Sequence, residues 1–191
     1  MFAPKFHPAM KHAIGPRKEI GQRTIFNILG PLTNPAGARA QVMGVYSARL
    51  VPLVAEAMAM LGVRHAMVVH GDGALDELSL SGPSQIAEVR STPEHGNTVR
   101  LMTIRPEDVG LDPAPAETLR GGDANTNADI LRSIFAGARG PRRDVVVLNA
   151  AAVLVTAGLA ADLRSGAQLA AETIDQGKVA ALLDSLKSPS S

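Results

Sequence analysis

The sequence predicts an α/β fold, in which a mixed, mainly parallel sheet is flanked by helices. Three observations support this prediction. Strand patterns at Gln41–Tyr46 and Arg64–Val69 enclose a helical pattern. Two further strand patterns, at Gln85–Arg90 and Val99–Ile104, are joined by a short polar segment. Helical patterns occupy most of the chain after residue 127, and strands that alternate with helices are typical of α/β domains.

The segment from residue 40 to residue 69 is predicted to form a strand–helix–strand unit. Ser47 is placed to cap a helix from about residue 49 to residue 61, and Gly62 ends it. Such a unit crosses over in the right-handed sense and makes its two strands parallel. Ligands of these sheets bind at loops that leave the carboxyl ends of strands, and His70–Leu75 is such a loop.

The rest of the chain is predicted to form a hairpin and a set of helices. The hairpin strands are expected to be antiparallel and to lie at a sheet edge, and residues 107–123 read as an irregular connection. The apolar run at residues 145–148 would suit a strand, but the alanine-rich run that follows favours a helix. The predicted helices cover about residues 127–136, 143–157, 166–176 and 178–186.

Composition predicts one α/β domain over residues 1–187, followed by a disordered tail at residues 188–191. The 19 basic and 18 acidic residues nearly cancel, which gives no reason to expect a nucleic-acid or membrane partner. The absence of cysteine excludes disulfides and thiolate metal sites. Since the first residues lack the apolar core of a signal peptide, a cytoplasmic location is expected.

The first 35 residues combine short helical turns, a Pro/Gly-rich loop and basic side chains at fixed offsets, as a site for a small anion requires. Pro8 suits the first position of a helix, and a second helix from Thr24 is expected to stop at Gly30-Pro31. Arg17 carries the group best shaped to grip a carboxylate in bidentate fashion. The alternative is a solvated arginine in a charged patch.

Asp76 and Glu77 follow the predicted loop after the second strand and form a candidate metal site. Mg²⁺ is bound through one or two carboxylates together with waters and substrate phosphates, so an acidic pair is sufficient. The alternative is that the pair caps a strand or lies in water.

Two other polar residues are assigned packing roles. His70 is expected to pack at the end of its strand, and Asn149 lies in a predicted buried helix, where its amide must be satisfied by hydrogen bonds.

Several motifs together resemble the anthranilate phosphoribosyltransferase family of tryptophan biosynthesis. They are the segments His7–Lys11, Arg17–Pro35, His70–Ser79, Asn149–Ala152 and Glu172–Lys178, which run along nearly the whole chain. The resemblance implies the large domain of a nucleoside-phosphorylase-like phosphoribosyltransferase without its leading helical domain. It also implies transfer of phosphoribose from phosphoribosyl pyrophosphate to the amino group of anthranilate, in a protein that is a homodimer at full length.

The resemblance also implies roles for six residues. Arg17 would hold the carboxylate of anthranilate, and His7 would lie near the route by which that substrate enters. His7 could equally be a capping or packing group. Gly30 and Pro31 would line the anthranilate pocket, where a rigid wall suits a flat ring. Asp76 and Glu77 would hold a Mg²⁺ that bridges to the pyrophosphate of phosphoribosyl pyrophosphate.

Two family motifs are missing from the chain. Neither the Gly-Thr-Gly-Gly-Asp loop that cradles pyrophosphate nor the Lys-His-Gly-Asn segment is present. The chain is therefore expected to be a carboxyl-terminal portion that is inactive alone. Two alternatives stay open: a pyrimidine-nucleoside phosphorylase of related fold, and a non-catalytic complementing fragment.

Overall fold

The structure is a computed structural model that describes residues 15–16, 19–22, 26–34 and 36–187. The predictions for His7, Arg17 and the tail at residues 188–191 lie outside the described residues. The elements are α1 (Phe26–Leu32), β1 (Ala40–Gly44), α2 (Leu50–Met60), β2 (His65–His70), β3 (Ser84–Thr92), β4 (Gly96–Ile104), two short 3-10 helices (Pro106–Val109 and Ala116–Leu119), α3 (Ala124–Phe135), α4 (Pro141–Thr156), α5 (Leu163–Asp175) and α6 (Lys178–Lys187).

The four described strands form one mixed sheet in the order β1-β2-β3-β4. Strands β1 and β2 are parallel, with Gly44 opposite Val69, which confirms the predicted strand–helix–strand unit. Strands β3 and β4 form the predicted antiparallel hairpin at the sheet edge. The expectation of a mainly parallel sheet is wrong for the described strands, because β2 also pairs with β3 in the antiparallel sense. The segment between β2 and β3 contains no helix to carry the chain back across the sheet, as a parallel pairing requires.

Helices cover both faces of the sheet. On one face, Val51 and Met58 of α2 pack with Val68 of β2. On the other face, Leu148 of α4 packs with Val69 of β2, together with apolar residues of α5. Successive side chains of a strand point to opposite faces, so β2 reads as a continuous apolar run because both of its faces are buried.

Helix α1 extends beyond its predicted end. Gly30-Pro31 was expected to stop it, but the helix continues through both residues to Leu32. Proline cannot donate the bond to the carbonyl four residues earlier, which costs one hydrogen bond. The last turn still closes, because the Thr33 N–H and hydroxyl both donate to the Leu29 carbonyl, at 2.9 and 2.8 Å.

The four predicted helices after residue 123 are confirmed, including the choice of helix over strand for the apolar run, which lies inside α4. The connection predicted to be irregular contains the two 3-10 helices. No helix among the described residues is both long enough and apolar enough to cross a bilayer.

A buried carboxylate ties β2, β3 and β4 together. Glu88 is only 5% exposed, and it lies 3.0 Å from His65 Nε2 and accepts hydrogen bonds from Arg90 and Arg100 at 2.8 and 3.1 Å. Burial alone would raise the pKa of Glu88, but the hydrogen bonds from His65, Arg90 and Arg100 and the charge of Arg90 together lower it. Glu88 therefore stays ionised inside the sheet.

We expect Glu88→Gln to lower the free energy of unfolding by about 1–3 kcal/mol, because it removes the charge that three neighbouring side chains share. A carboxyl group whose pKa is lowered by folding stabilises the fold above its unfolded pKa, and this contribution is lost as the pH falls through the folded pKa. Urea titrations at about pH 7 and about pH 3 should therefore show a smaller difference at the lower pH. The exposed Glu94→Gln is the control. Equal effects of both substitutions would contradict a stabilising role.

Candidate functional site

The candidate site is built on the loop that follows β2, which is called the carboxylate loop below and spans residues 71–80. It opens with a tight turn in which Gly71 and Leu75 exchange backbone hydrogen bonds of 2.9 and 3.3 Å. Gly73 has φ 76° and Ala74 has φ 61°, and Ala74 is the one non-glycine residue with positive φ among the described residues. Such backbone costs on the order of 1–2 kcal/mol for alanine, so the surrounding contacts must hold the turn in place.

Two glycines allow the carboxylate loop to lie directly against the sheet. A Cβ atom on Gly44, at the end of β1, would stand 1.5 Å from the Asp76 carbonyl oxygen. A Cβ atom on Gly71 would stand 2.3 Å from the Glu77 carbonyl oxygen. Both glycines are therefore required by close approach of the backbone. Their contacts fix the main chain of the two residues that carry the carboxylates.

A set of serines closes the far side of the loop. The Ser79 N–H donates to Ser84 Oγ at 2.9 Å, and the Ser81 hydroxyl donates to Asp72 Oδ2 at 3.2 Å. The hydroxyls of Ser79 and Ser81 lie 2.8 Å apart. No sequence pattern considered above indicated this set, although the serines stand close together in the chain.

The two packing predictions are confirmed beside the loop. His70 Nδ1 lies 2.7 Å from the Val45 carbonyl oxygen, which ties the ends of β1 and β2 together. The Asn149 amide accepts from the Leu78 N–H at 2.9 Å and donates to the carbonyl oxygens of Leu78 and Val145, both at 3.0 Å. Asn149 lies on α4, so the helix contacts the carboxylate loop directly.

The Asp76 and Glu77 side chains are exposed at the carboxyl end of β2, where the sequence placed them. Neither carboxylate forms a salt bridge with a basic side chain of the described residues. Partial desolvation within the loop, and then the charge of Asp76, raise the pKa of Glu77. A divalent cation would relieve this repulsion.

The donor set fits a hard cation that takes few protein ligands. Among the described residues, no group of three or more His, Cys, Asp or Glu side chains could hold a metal ion. The two adjacent carboxylates form no salt bridge with a basic side chain of the described residues. Such a pair suits Mg²⁺, which keeps several waters and completes its coordination shell with substrate phosphates.

The structure places the predicted pocket residues Gly30 and Pro31 on α1. A cavity of about 170 Å³ beside Asp76 is lined by Asn27 and Ile28 of the same helix, so α1 reaches the carboxylate loop. Pro31 instead lines a separate cavity of about 220 Å³. The first turn of α1 therefore lies beside the carboxylate loop. Among the described residues, Pro31 and Asp76 do not line the same cavity.

This α/β chain belongs to a known class of transferases. Residues 1–180 match the model of the glycosyl transferase family, a/b domain, and the chain is a member of that family.

Similar proteins include anthranilate phosphoribosyltransferases of several bacteria. The chain is 58% identical over 179 residues to the enzyme of Chloroflexus aggregans, covering 93% of this chain and 52% of that protein. It is 56% identical over 186 residues to the enzyme of Geobacter sulfurreducens, covering 97% and 52%. The chain thus spans about half the length of the curated relatives it matches.

Solved structures give the same result. The Thermus thermophilus enzyme matches with a TM-score of 0.82 and 42% identity, over 93% of this chain and 51% of that one. The Saccharomyces cerevisiae enzyme in complex with PRPP and Mg matches with a TM-score of 0.78 and 28% identity, over 93% and 50%. These relatives and solved structures are named as phosphoribosyltransferases, whereas the alternative considered from the sequence was a nucleoside phosphorylase.

Proposed function

We propose that this chain provides the acceptor-binding and metal-binding part of an anthranilate phosphoribosyltransferase of tryptophan biosynthesis. The observation that carries the proposal is the adjacent pair Asp76 and Glu77 after the carboxyl end of β2. Neither carboxylate forms a salt bridge with a basic side chain of the described residues, and the relatives of the chain are named for this activity. The domain would span residues 1–187.

The reaction is a displacement at the anomeric carbon of phosphoribosyl pyrophosphate. The amine nitrogen of anthranilate forms a bond to that carbon, the bond to the pyrophosphate oxygen breaks, and the amine loses a proton. A bound Mg²⁺ supplies charge neutralisation on the departing pyrophosphate. Asp76 and Glu77 would hold the ion, whose positive charge would relieve the repulsion between the two carboxylates.

Arg17 would orient the acceptor by a bidentate bond to the anthranilate carboxylate. Gly30 and Pro31 would line the acceptor pocket, and His7 would lie near the route by which the acceptor enters. The amine needs positioning more than activation, so orientation is the main contribution of these residues. The complete protein would act as a cytoplasmic homodimer. No nucleic-acid or membrane partner is proposed, since the charges of the chain nearly cancel.

The proposal can be tested in a fusion protein, called the joined enzyme below. It consists of this chain and the part of the Chloroflexus aggregans relative that the chain does not match. In it, Arg17→Ala should raise the KM for anthranilate about tenfold or more and change the KM for phosphoribosyl pyrophosphate by less than about twofold, because one charged hydrogen-bond pair is lost. Arg17→Lys should restore only part of the loss, since an ammonium lacks the planar fork.

The decay of anthranilate fluorescence measures both constants. Lys18→Ala, next to Arg17 in sequence, is the control for a general loss of positive charge. Equal effects of Arg17→Ala on both substrates, or an equal effect of Lys18→Ala, would show that Arg17 does not bind the acceptor.

A further inference from the structure

The side-chain amide of Asn149 forms hydrogen bonds with the main chain of one distant residue and with the main chain of its own helix. Its Oδ1 accepts from the Leu78 N–H, and its Nδ2 donates to the Leu78 carbonyl, which lies 71 residues earlier in the chain. The second Nδ2 hydrogen goes to the Val145 carbonyl one helical turn away, which fixes the orientation of the amide. Both main-chain polar groups of Leu78 are therefore held by one side chain of α4.

Leu78 is the residue directly after Glu77, and its side chain is fully buried. The close approach of Gly44 confines the peptide group that joins Asp76 to Glu77, because it leaves no room between that group and β1. The main chain of the pair is thus confined by β1 between the two residues and held by α4 directly after them. No salt bridge to a described side chain orients the carboxylates, so their direction depends on this main chain.

We propose that Asn149 is a positioning residue for the metal site: it holds the main chain at Leu78 so that Asp76 and Glu77 converge on one divalent cation. The proposal rests on the proposed metal-binding role of the pair. A ligand set must be held close to its productive geometry before binding, and partners of the ligands typically affect metal affinity about 10- to 100-fold.

A purely structural role for Asn149 leads to a different expectation. A half-buried amide that is merely satisfied by hydrogen bonds contributes to overall stability, and its loss destabilises the domain. Such a loss would not alter the affinity of the folded chain for a cation. Metal affinity measured under folded conditions therefore separates the two roles.

The experiment compares Asn149→Ala and Asn149→Leu with the unchanged chain. Leucine keeps the side-chain volume and removes the hydrogen bonds, so it serves if the alanine variant does not fold. Asn127→Ala is the matched control, because Asn127 makes the same pair of bonds, both 2.9 Å, with the N–H and carbonyl of Gly122. Mn²⁺ is the probe, with its free concentration followed by electron paramagnetic resonance. Amide hydrogen exchange of residues 71–80 is the second readout.

We expect either Asn149 substitution to weaken Mn²⁺ binding about tenfold and to speed exchange in residues 71–80, while β2 and β3 stay protected. Asn127→Ala should leave both readouts unchanged. Unaltered Mn²⁺ affinity in the folded Asn149 variants would overturn the proposal.

The proposed metal site itself is checked by Asp76→Asn with Glu77→Gln. If the double variant binds Mn²⁺ as tightly as the unchanged chain does, the proposed metal role of the pair is wrong. Hydrogen exchange then decides the remaining claim about Asn149. Faster exchange in residues 71–80 upon Asn149 substitution would support its hold on the loop, and unchanged exchange would overturn it.

Discussion

Residues 1–191 expressed alone are expected to show no measurable transfer of phosphoribose to anthranilate. The chain has the candidate acceptor and metal residues but lacks the Gly-Thr-Gly-Gly-Asp segment that, by the family resemblance, cradles pyrophosphate. Correct placement of two reactants corresponds to effective concentrations of about 10⁵–10⁸ M, so the loss of one binding segment should reduce the rate by many orders of magnitude.

The measurement is the decay of anthranilate fluorescence in the presence of phosphoribosyl pyrophosphate and Mg²⁺. The joined enzyme that supplies the unmatched half of the relative is the positive control and should turn over. A turnover number of about 1 s⁻¹ or more for the 191-residue chain would refute the expectation, since that lies in the ordinary range of enzymes.

The double substitution Asp76→Asn with Glu77→Gln should abolish detectable divalent-cation binding and leave the fold intact. Both side chains keep nearly the same volume and lose their charge, and both are exposed without a salt bridge to a described side chain. In the joined enzyme we expect kcat/KM for phosphoribosyl pyrophosphate to fall about 100-fold or more, which corresponds to roughly 3 kcal/mol.

The raised pKa of Glu77 determines the pH dependence of this site. In the proposed site a cation would bind the ionised pair, so its affinity is expected to fall as the pH decreases through that raised pKa. Folding that raises a carboxyl pKa disfavours its ionised form, so stability is lost as the pH rises from the unfolded to the folded pKa. The double variant should therefore melt no lower than the unchanged chain at neutral pH.

Asp72→Asn is the matched control, because Asp72 lies in the same loop and accepts a hydrogen bond from Ser81. It should leave cation binding nearly unchanged. A large drop in melting temperature for the double variant would instead identify the pair as a structural cap.

Sequence predicted most of the secondary structure because the signals are local. The apolar run of β2 and the turn at Gly62, which has φ 75°, depend on neighbours in the chain. The carboxylate pair was found for the same reason, since it follows the short loop after a strand. The antiparallel pairing of β2 with β3 was missed because it depends on how segments without a predicted local connection meet in the sheet.

The supports of the site were harder to predict. Asn149 was correctly expected to be satisfied by hydrogen bonds. Nothing local in the sequence indicates that its partner is Leu78, which lies 71 residues earlier in the chain. A glycine at the end of a strand can signal close backbone approach, and Gly44 was such a signal. Arg17 and His7, which the family resemblance assigns to the acceptor, lie outside the described residues and stay predictions.

The bond between Leu78 and Asn149 also sets an order of events during synthesis. Closing a loop of 71 residues costs conformational entropy, which the docking of α4 against the sheet helps to offset. Chains grow from the amino terminus at about 5–20 residues per second, so both carboxylates leave the ribosome several seconds before Asn149 does. A nascent chain that ends before residue 149 therefore carries both carboxylates without the side chain that holds the main chain beside them.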